Sequence, residues 1–244
     1  MICPKEQYIG SRDVKDHISL DKHTPPFMGS ACECWIVREA QDVLNHLMDS
    51  SMVAMEWSTG SGSGWFLRRV KALYTVEDNV EWMEAAASVV KSKYPWNADK
   101  WTYITHAIPG KLNGHTPERV NSDYVKALEK EIMPVYSKPF DFISVDGRER
   151  VACLKEAMKP GMLKTDYGIF MLDNSERKYY DVSAVPSHWL VVSFQHFFDE
   201  TTIWMACPSK TDENCVRARK EIHETLGLAK EHVGGRYTER MGPV

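Results

Sequence analysis

The feature that most restricts this chain is a buried strand running straight into a glycine-rich turn. Met52-Val53-Ala54-Met55 is a continuous apolar run bounded by polar residues, which suits a strand covered on both faces. It leads into Glu56-Trp57-Ser58-Thr59-Gly60-Ser61-Gly62-Ser63-Gly64. Glycine there lets bare backbone approach a ligand at the carboxyl end of a sheet, where α/β proteins place their sites. A short helix through Leu67 and Val70 follows, then a second strand, Ala72-Leu73-Tyr74-Thr75-Val76, that ends on Glu77. A carboxylate at that strand end, about twenty residues past the turn, can accept both hydroxyls of a ribose. Loop and acid together imply a nucleoside-containing cofactor, against the simpler reading of the loop as a tight turn.

The rest of the chain repeats the alternation. Ile36, Val37, Ala40, Leu44 and Leu47 recur at helical spacing ahead of the first strand, and Asp78 with Glu81 suggests a capping box opening a helix through Val80, Met83, Ala87 and Val90. Further strands are expected at 101–108, 142–145 and 168–172, which implies a parallel sheet. Trp189–Phe194 and Thr202–Ala206 lie too close for a crossover helix and should pair antiparallel. A late helix is expected at about 216–226. The chain therefore divides into an N-terminal arm or flap at 1–30, one domain at 31–232 with an insertion at about 109–139, and a C-terminal tail at 233–244.

Composition narrows the class. A chain of 244 residues can bury one sizeable core. Its formal charge of −4 comes from intermixed acids and bases without a like-charge block, which argues against nucleic-acid and membrane partners. No stretch approaches the eighteen apolar residues of a membrane span, and residues 1–13 lack the apolar core of a signal peptide, so a cytoplasmic protein is expected. The six cysteines lack paired C-x-x-C spacings and are expected as reduced thiols, with Cys32 and Cys34 the only close pair.

Glu56 with Gly60 and Gly62, then Thr75-Val76-Glu77, then Phe142-Ile143-Ser144-Val145-Asp146-Gly147-Arg148, then Leu172-Asp173-Asn174-Ser175-Glu176-Arg177 occur in that order. Together they resemble the successive motifs of class I S-adenosylmethionine-dependent methyltransferases, over residues 25–207. The resemblance implies an α/β, Rossmann-like, seven-stranded sheet, mostly parallel with an antiparallel last strand and helices on both faces. It implies S-adenosyl-L-methionine as cofactor, bound by Glu56, Ser58, Gly60, Gly62, Glu77 and Asp146, with the loop around Gly60 and Gly62 on its methionine part and Glu77 on its ribose. Ser58 stands where the family's loop has its first glycine, and no carboxylate follows the third strand at His106-Ala107. A dinucleotide site ranks lower, because Trp65 stands where the third glycine of G-x-G-x-x-G belongs.

Asp146, Asp173 and Asn174 follow two strands expected to be neighbours, giving three oxygen ligands on one rim, as hard cations such as Mg2+ favour. The set is similar to the metal triad of cation-dependent small-molecule O-methyltransferases, although Glu149 stands where those relatives commonly carry a lysine. The plainer alternative is that the two aspartates cap turns. Arg148, Arg150 and Arg177 could fork onto a substrate carboxylate or phosphate, or pair with Glu149 and Glu176. Tyr179 follows the fifth strand, where the family places substrate-facing residues, and His188 is a candidate base beside Asp146. The expected activity is methyl transfer to a small molecule, at oxygen. The alternatives are a non-catalytic or regulatory protein on the same fold and another group transfer from the same cofactor. Oligomeric state is not legible.

Overall fold

A computed structural model describes residues 36–108, 121–196, 199–230 and 236–241. Strands β1 (Val53–Trp57), β2 (Ala72–Glu77), β3 (Trp101–Thr105), β4 (Phe142–Val145) and β5 (Ile169–Asp173) form the parallel part of one sheet. Strands β6 (Leu190–His196) and β7 (Asp199–Met205) form the expected hairpin, and β7 inserts antiparallel between β5 and β6. The order across the sheet is β3-β2-β1-β4-β5-β7-β6-β8. The mostly parallel, helix-flanked architecture is therefore the expected one.

Two differences stand out. Residues Arg236–Met241, expected as part of a tail, form β8 antiparallel to β6, so the sheet has eight strands rather than seven. Backbone pairing along an open sheet edge needs no apolar pattern, which is why this polar segment did not read as a strand. Cys207 and Cys215 form a disulfide, against the expectation of reduced thiols. The connection after β7 folds back, and the two Cα atoms lie 6.1 Å apart, within bonding reach. Residues 1–30 and 109–120 lie outside the described residues, as do Cys32 and Cys34.

The pleat sends alternate side chains to opposite faces, and each face has its own core. Ala54, Leu73, Phe142, Met171 and Ile203 pack under α1 (Arg38–Leu47), α2 (Ser61–Leu67), α3 (Val80–Lys93) and, through Cys215 and Ile222, the last helix, Glu213–Lys230. Met55, Trp57, Ile143, Val145, Phe170 and Leu172 pack on the other face against 123–136 and helix Arg150–Ala157. The 123–136 segment passes through one π-helical turn, Leu128–Ile132, just before Pro134, whose ring removes a helical amide. Helix α3 is capped by Asn79, whose side chain accepts the Trp82 amide at 3.0 Å, rather than by the expected Asp78.

Register brings the carboxyl ends of the strands level. Trp57 lies beside Val76 and Val145, Val145 beside Leu172, and Asp173 opposite Thr201. The residues that follow β1, β2, β4 and β5 therefore meet on one edge. The chain proceeds outward from β1 to β2 and β3, then returns to place β4 on β1's other side. The resulting crevice between β1 and β4 is where open α/β sheets bind ligands.

Candidate functional site

A cleft of about 570 Å³ opens at this edge. Its lining includes Glu56, Ser58, Gly60, Gly62, Glu77 and Asp146, so the six residues expected around the cofactor converge. The volume is within the usual range of small-molecule sites, roughly 300–1,000 Å³.

The floor is rigid because its two acids are bonded in. Glu56 is buried at the end of β1, where the Ser63 hydroxyl donates to it at 2.5 Å and the Thr75 hydroxyl at 2.7 Å. Trp101 in turn donates its indole N–H to Thr75 Oγ1 at 2.7 Å. Burial pushes the Glu56 carboxyl up to about 8, with the two hydroxyl bonds opposing the rise. Glu77 accepts the Thr59 amide at 2.7 Å on one oxygen and the Asp78 and Asn79 amides at 3.0 Å on the other. Burial again dominates and raises Glu77 to about 7. Trp82 also lines the cleft and donates its indole N–H to the Thr59 carbonyl at 2.8 Å.

Ser58 occupies the left-handed region with φ of 86°, a conformation that glycine adopts without penalty. Its amide donates to the Val76 carbonyl at 2.7 Å, which turns the chain sharply off β1. The turn brings Ser58 against Gly147, where an added Cβ would lie 3.0 Å from the Ser58 Cβ and 2.0 Å from the Tyr124 hydroxyl. Only a glycine fits at 147. The close approach joins the loop after β1 to the loop after β4.

The metal reading is not supported by the residues present. Arg150, 10% exposed, sits between the two aspartates, with Nη2 3.0 Å from Asp146 Oδ1 and Nη1 3.7 Å from Asp173 Oδ2. It also donates from Nε to the Gly147 carbonyl at 2.9 Å and from Nη1 to the Asp173 carbonyl. A fixed positive charge thus stands where Asp146, Asp173 and Asn174 were expected to hold a divalent cation. Asn174 turns its oxygen to Arg177, which donates to it at 3.0 Å. Among the described residues, no group of three or more His, Cys, Asp and Glu side chains could hold a metal ion. Burial and the adjacent Asp146 carboxylate push Asp173 well above the usual carboxylate range, while the Thr201 hydroxyl holds its Oδ1 at 2.7 Å. Desolvation also raises Asp146, and the Arg150 guanidinium opposes that rise.

The expected substrate residues separate. Arg148 lines the cleft, with Nε 3.9 Å from Asp78 Oδ2. Arg177 lies outside the cleft lining and is engaged by Asn174 and by Tyr180, whose hydroxyl accepts from Nη1 at 2.8 Å. Tyr179 is 62% exposed and stacks edge-on against Tyr180, away from the cleft lining. His188 is on the wrong edge of the sheet. It precedes Leu190, which pairs with Met205, and Met205 pairs with Ile169 at the start of β5. That puts His188 at the amino end of the parallel strands, roughly a full strand length of ~13 Å from Asp173. It cannot reach a proton in the cleft.

No protein-family model matches the chain, and no curated protein matches it by sequence. Among solved structures, it is similar to a provisionally assigned methyltransferase from Streptococcus mutans in complex with SAH. The TM-score is 0.50 at 11% identity, over 70% of this chain and 98% of that one. An O-methyltransferase from Bacillus cereus in complex with SAH aligns at a TM-score of 0.49 and 14% identity, over 79% and 87% of the two chains. A precorrin 8w decarboxylase from Methanobacterium thermoautotrophicum aligns at 0.49 and 16%, over 69% and 90%. At such identities likeness speaks to fold alone, and the fold is the Rossmann-like one of class I S-adenosylmethionine-dependent methyltransferases, with an eighth strand at its antiparallel edge.

Proposed function

We propose that the protein transfers a methyl group from S-adenosylmethionine to a small-molecule acceptor, at oxygen. The observation that carries the reading is the juxtaposition of Glu77 with the loop through Gly60 and Gly62, both lining one cleft at the β1–β4 crevice. Glu77 Oε2 accepts the Thr59 amide and keeps a second lone pair for a ribose hydroxyl, while the loop offers backbone at close range. The bound sulfonium would supply an already activated methyl group. The chain's own task is to hold that methyl in line with the acceptor and to exclude water. Asp146, 38% exposed at the cleft wall, is the group on hand to accept a proton or hydrogen bond from the acceptor. Four acids line the cleft, Glu56, Glu77, Asp78 and Asp146, against Arg148 and Arg150. Of the two cations, Arg150 is committed to Asp146 and Asp173, so the cleft offers too little positive charge to neutralise the phosphates of a polyanion, which favours a small acceptor. Among the described residues no helix is long and apolar enough to cross a membrane.

Calorimetric titration with S-adenosylmethionine and S-adenosylhomocysteine tests the cofactor, and incubation with methyl-labelled S-adenosylmethionine and a metabolite extract tests transfer. Binding followed by a labelled, mass-identified O-methyl product is expected. Binding without any labelled product would favour a regulatory protein on this fold, and no binding of either compound would overturn the reading.

A further inference from the structure

We infer that Arg150 is the resident cation of this site, standing in for a divalent metal between Asp146 and Asp173 and positioning Asp146 toward the cleft. The inference deepens the proposed reaction, since it concerns the carboxylate assigned there to the acceptor. The loop after β4 and the end of β5 converge on this one side chain.

The guanidinium uses each of its three nitrogens. Nε is bonded to the Gly147 carbonyl, Nη1 faces both the carbonyl and the carboxylate of Asp173, and Nη2 holds Asp146 Oδ1. Residues 146–150 and residue 173 are thereby tied across β4 and β5, with the planar fork setting the angle of the Asp146 carboxylate. The approach is built into the backbone. Glu149 stands at φ of 48° immediately before the helix that Arg150 opens, and its carboxylate is anchored by the Ser122 hydroxyl. That left-handed step directs Arg150 back over the strand ends. Two neighbouring buried carboxyl groups ionise together only beside a counter-charge, and a guanidinium keeps its charge at any pH a protein tolerates. A metal in the same place would be exchangeable, whereas this cation is covalently part of the chain.

The consequence is that removing the charged end of the guanidinium should expose a latent oxygen site. Arg150→Gln keeps an amide donor for the Gly147 carbonyl, loses the donor to the Asp173 carbonyl and leaves Asp146 and Asp173 without a counter-ion. Arg150→Lys keeps the charge and loses the fork. The probe is Mn2+ alone, followed by calorimetry and by the electron paramagnetic resonance signal of the free ion, on the full chain.

Wild type and Arg150→Lys are expected to bind no Mn2+ at this site, and Arg150→Gln to bind one ion at least tenfold more tightly than any background binding of Mn2+ by wild type. Adding Asp146→Asn to Arg150→Gln should abolish the gain. A purely structural arginine would give a less stable variant with no new ion binding, so a folded Arg150→Gln that ignores Mn2+ overturns the inference. Mn2+ binding by wild type or by Arg150→Lys that is lost on Asp173→Asn overturns it equally, whether or not the glutamine variant folds. None of these measurements uses S-adenosylmethionine, so failure of the cofactor assignment shows up separately, as absent cofactor binding.

Discussion

The Thr59 amide donates to Glu77 Oε2 at 2.7 Å, tying the loop after β1 to the last residue of β2. The carboxylate expected to hold a ribose therefore also shapes the loop that would cover the cofactor. Glu77→Gln separates the two roles only in part, because either amide orientation turns an NH2 toward backbone N–H groups. One orientation faces Thr59, the other Asp78 and Asn79. The variant should lose about 1–3 kcal/mol of folding stability and about 1.5–3 kcal/mol of cofactor affinity. Urea denaturation and calorimetry on the same preparation give the two numbers. Unchanged affinity in a folded variant would remove Glu77 from the cofactor site.

The two floor acids set a pH dependence whose sign is opposite to that of an ordinary salt-bridged carboxylate. Glu56 rises from 4.5 to about 8 and Glu77 from 4.5 to about 7, both mainly through burial. Between about pH 4.5 and 8 the folded state thus holds more protons than the unfolded chain, so stability falls as pH rises through that window. Each pKa unit corresponds to about 1.4 kcal/mol, and a decline of a few kcal/mol from pH 5.5 to 8 is expected without ligand. Glu56→Gln should flatten the slope. A wild-type urea midpoint that is level or rises over the same range would refute the assignment. S-adenosylmethionine carries positive sulfonium and ammonium groups, so its binding should release protons and tighten as pH rises, more than that of S-adenosylhomocysteine.

Much of this site was legible because strand, glycine turn, strand and terminal acid are consecutive in the chain. Glu56, Gly60, Gly62 and Glu77 need only two adjacent parallel strands to meet, and β1 and β2 are adjacent. Asp146 came from the resemblance of its motif to the methyltransferase family and from its place after a strand end, because β4 reaches β1 only through a crossover. Arg150 was visible as a rim residue, but its role depends on a left-handed Glu149 and on β4 lying beside β5, neither of which has a local sequence signature. His188 failed for a topological reason: the chain returns to the amino edge before β6, so proximity in sequence to β5 does not give proximity to the cleft. The disulfide was hidden because Cys207 and Cys215 are separated by 8 positions, a spacing that suggests neither a zinc nor a redox pair.

Ser58 offers a test of strain. A serine at φ of 86° is held there by its amide bond to Val76 and by the contact with Gly147. Such a conformation costs of order 1–3 kcal/mol for a non-glycine residue, while glycine adds unfolded-state entropy worth about 0.4–1 kcal/mol. Ser58→Gly should therefore stabilise the protein by about 1 kcal/mol, and Ser58→Val should destabilise it. Chemical denaturation of the three proteins decides the point. A glycine variant no more stable than wild type would mean that the serine side chain contributes enough packing or bonding to offset the strain.

The contact between Gly147 and Tyr124 permits a sharper test, because each side can be changed separately. A Cβ on residue 147 would lie 2.0 Å from the Tyr124 hydroxyl oxygen, far inside van der Waals contact, and 3.0 Å from the Ser58 Cβ. Tyr124 is fully buried in the packed core, so its ring has no open space to swing into. Gly147→Ala should therefore cost about 2–3 kcal/mol through overpacking and backbone displacement. Because the displaced loop carries Asp146, cofactor and acceptor affinity should fall with it. Tyr124→Phe removes the obstructing oxygen and leaves the nearest ring carbon at 3.3 Å. In the double variant Gly147→Ala/Tyr124→Phe most of the loss should be recovered, giving a coupling energy of about 1–2 kcal/mol in a double-mutant cycle. Adding Ser58→Gly should relieve the remaining 3.0 Å contact and restore stability further. Strictly additive effects of the alanine and phenylalanine substitutions would show that the loop after β4 accommodates a side chain by moving away from Tyr124, and that the join between the two cleft loops is not rigid.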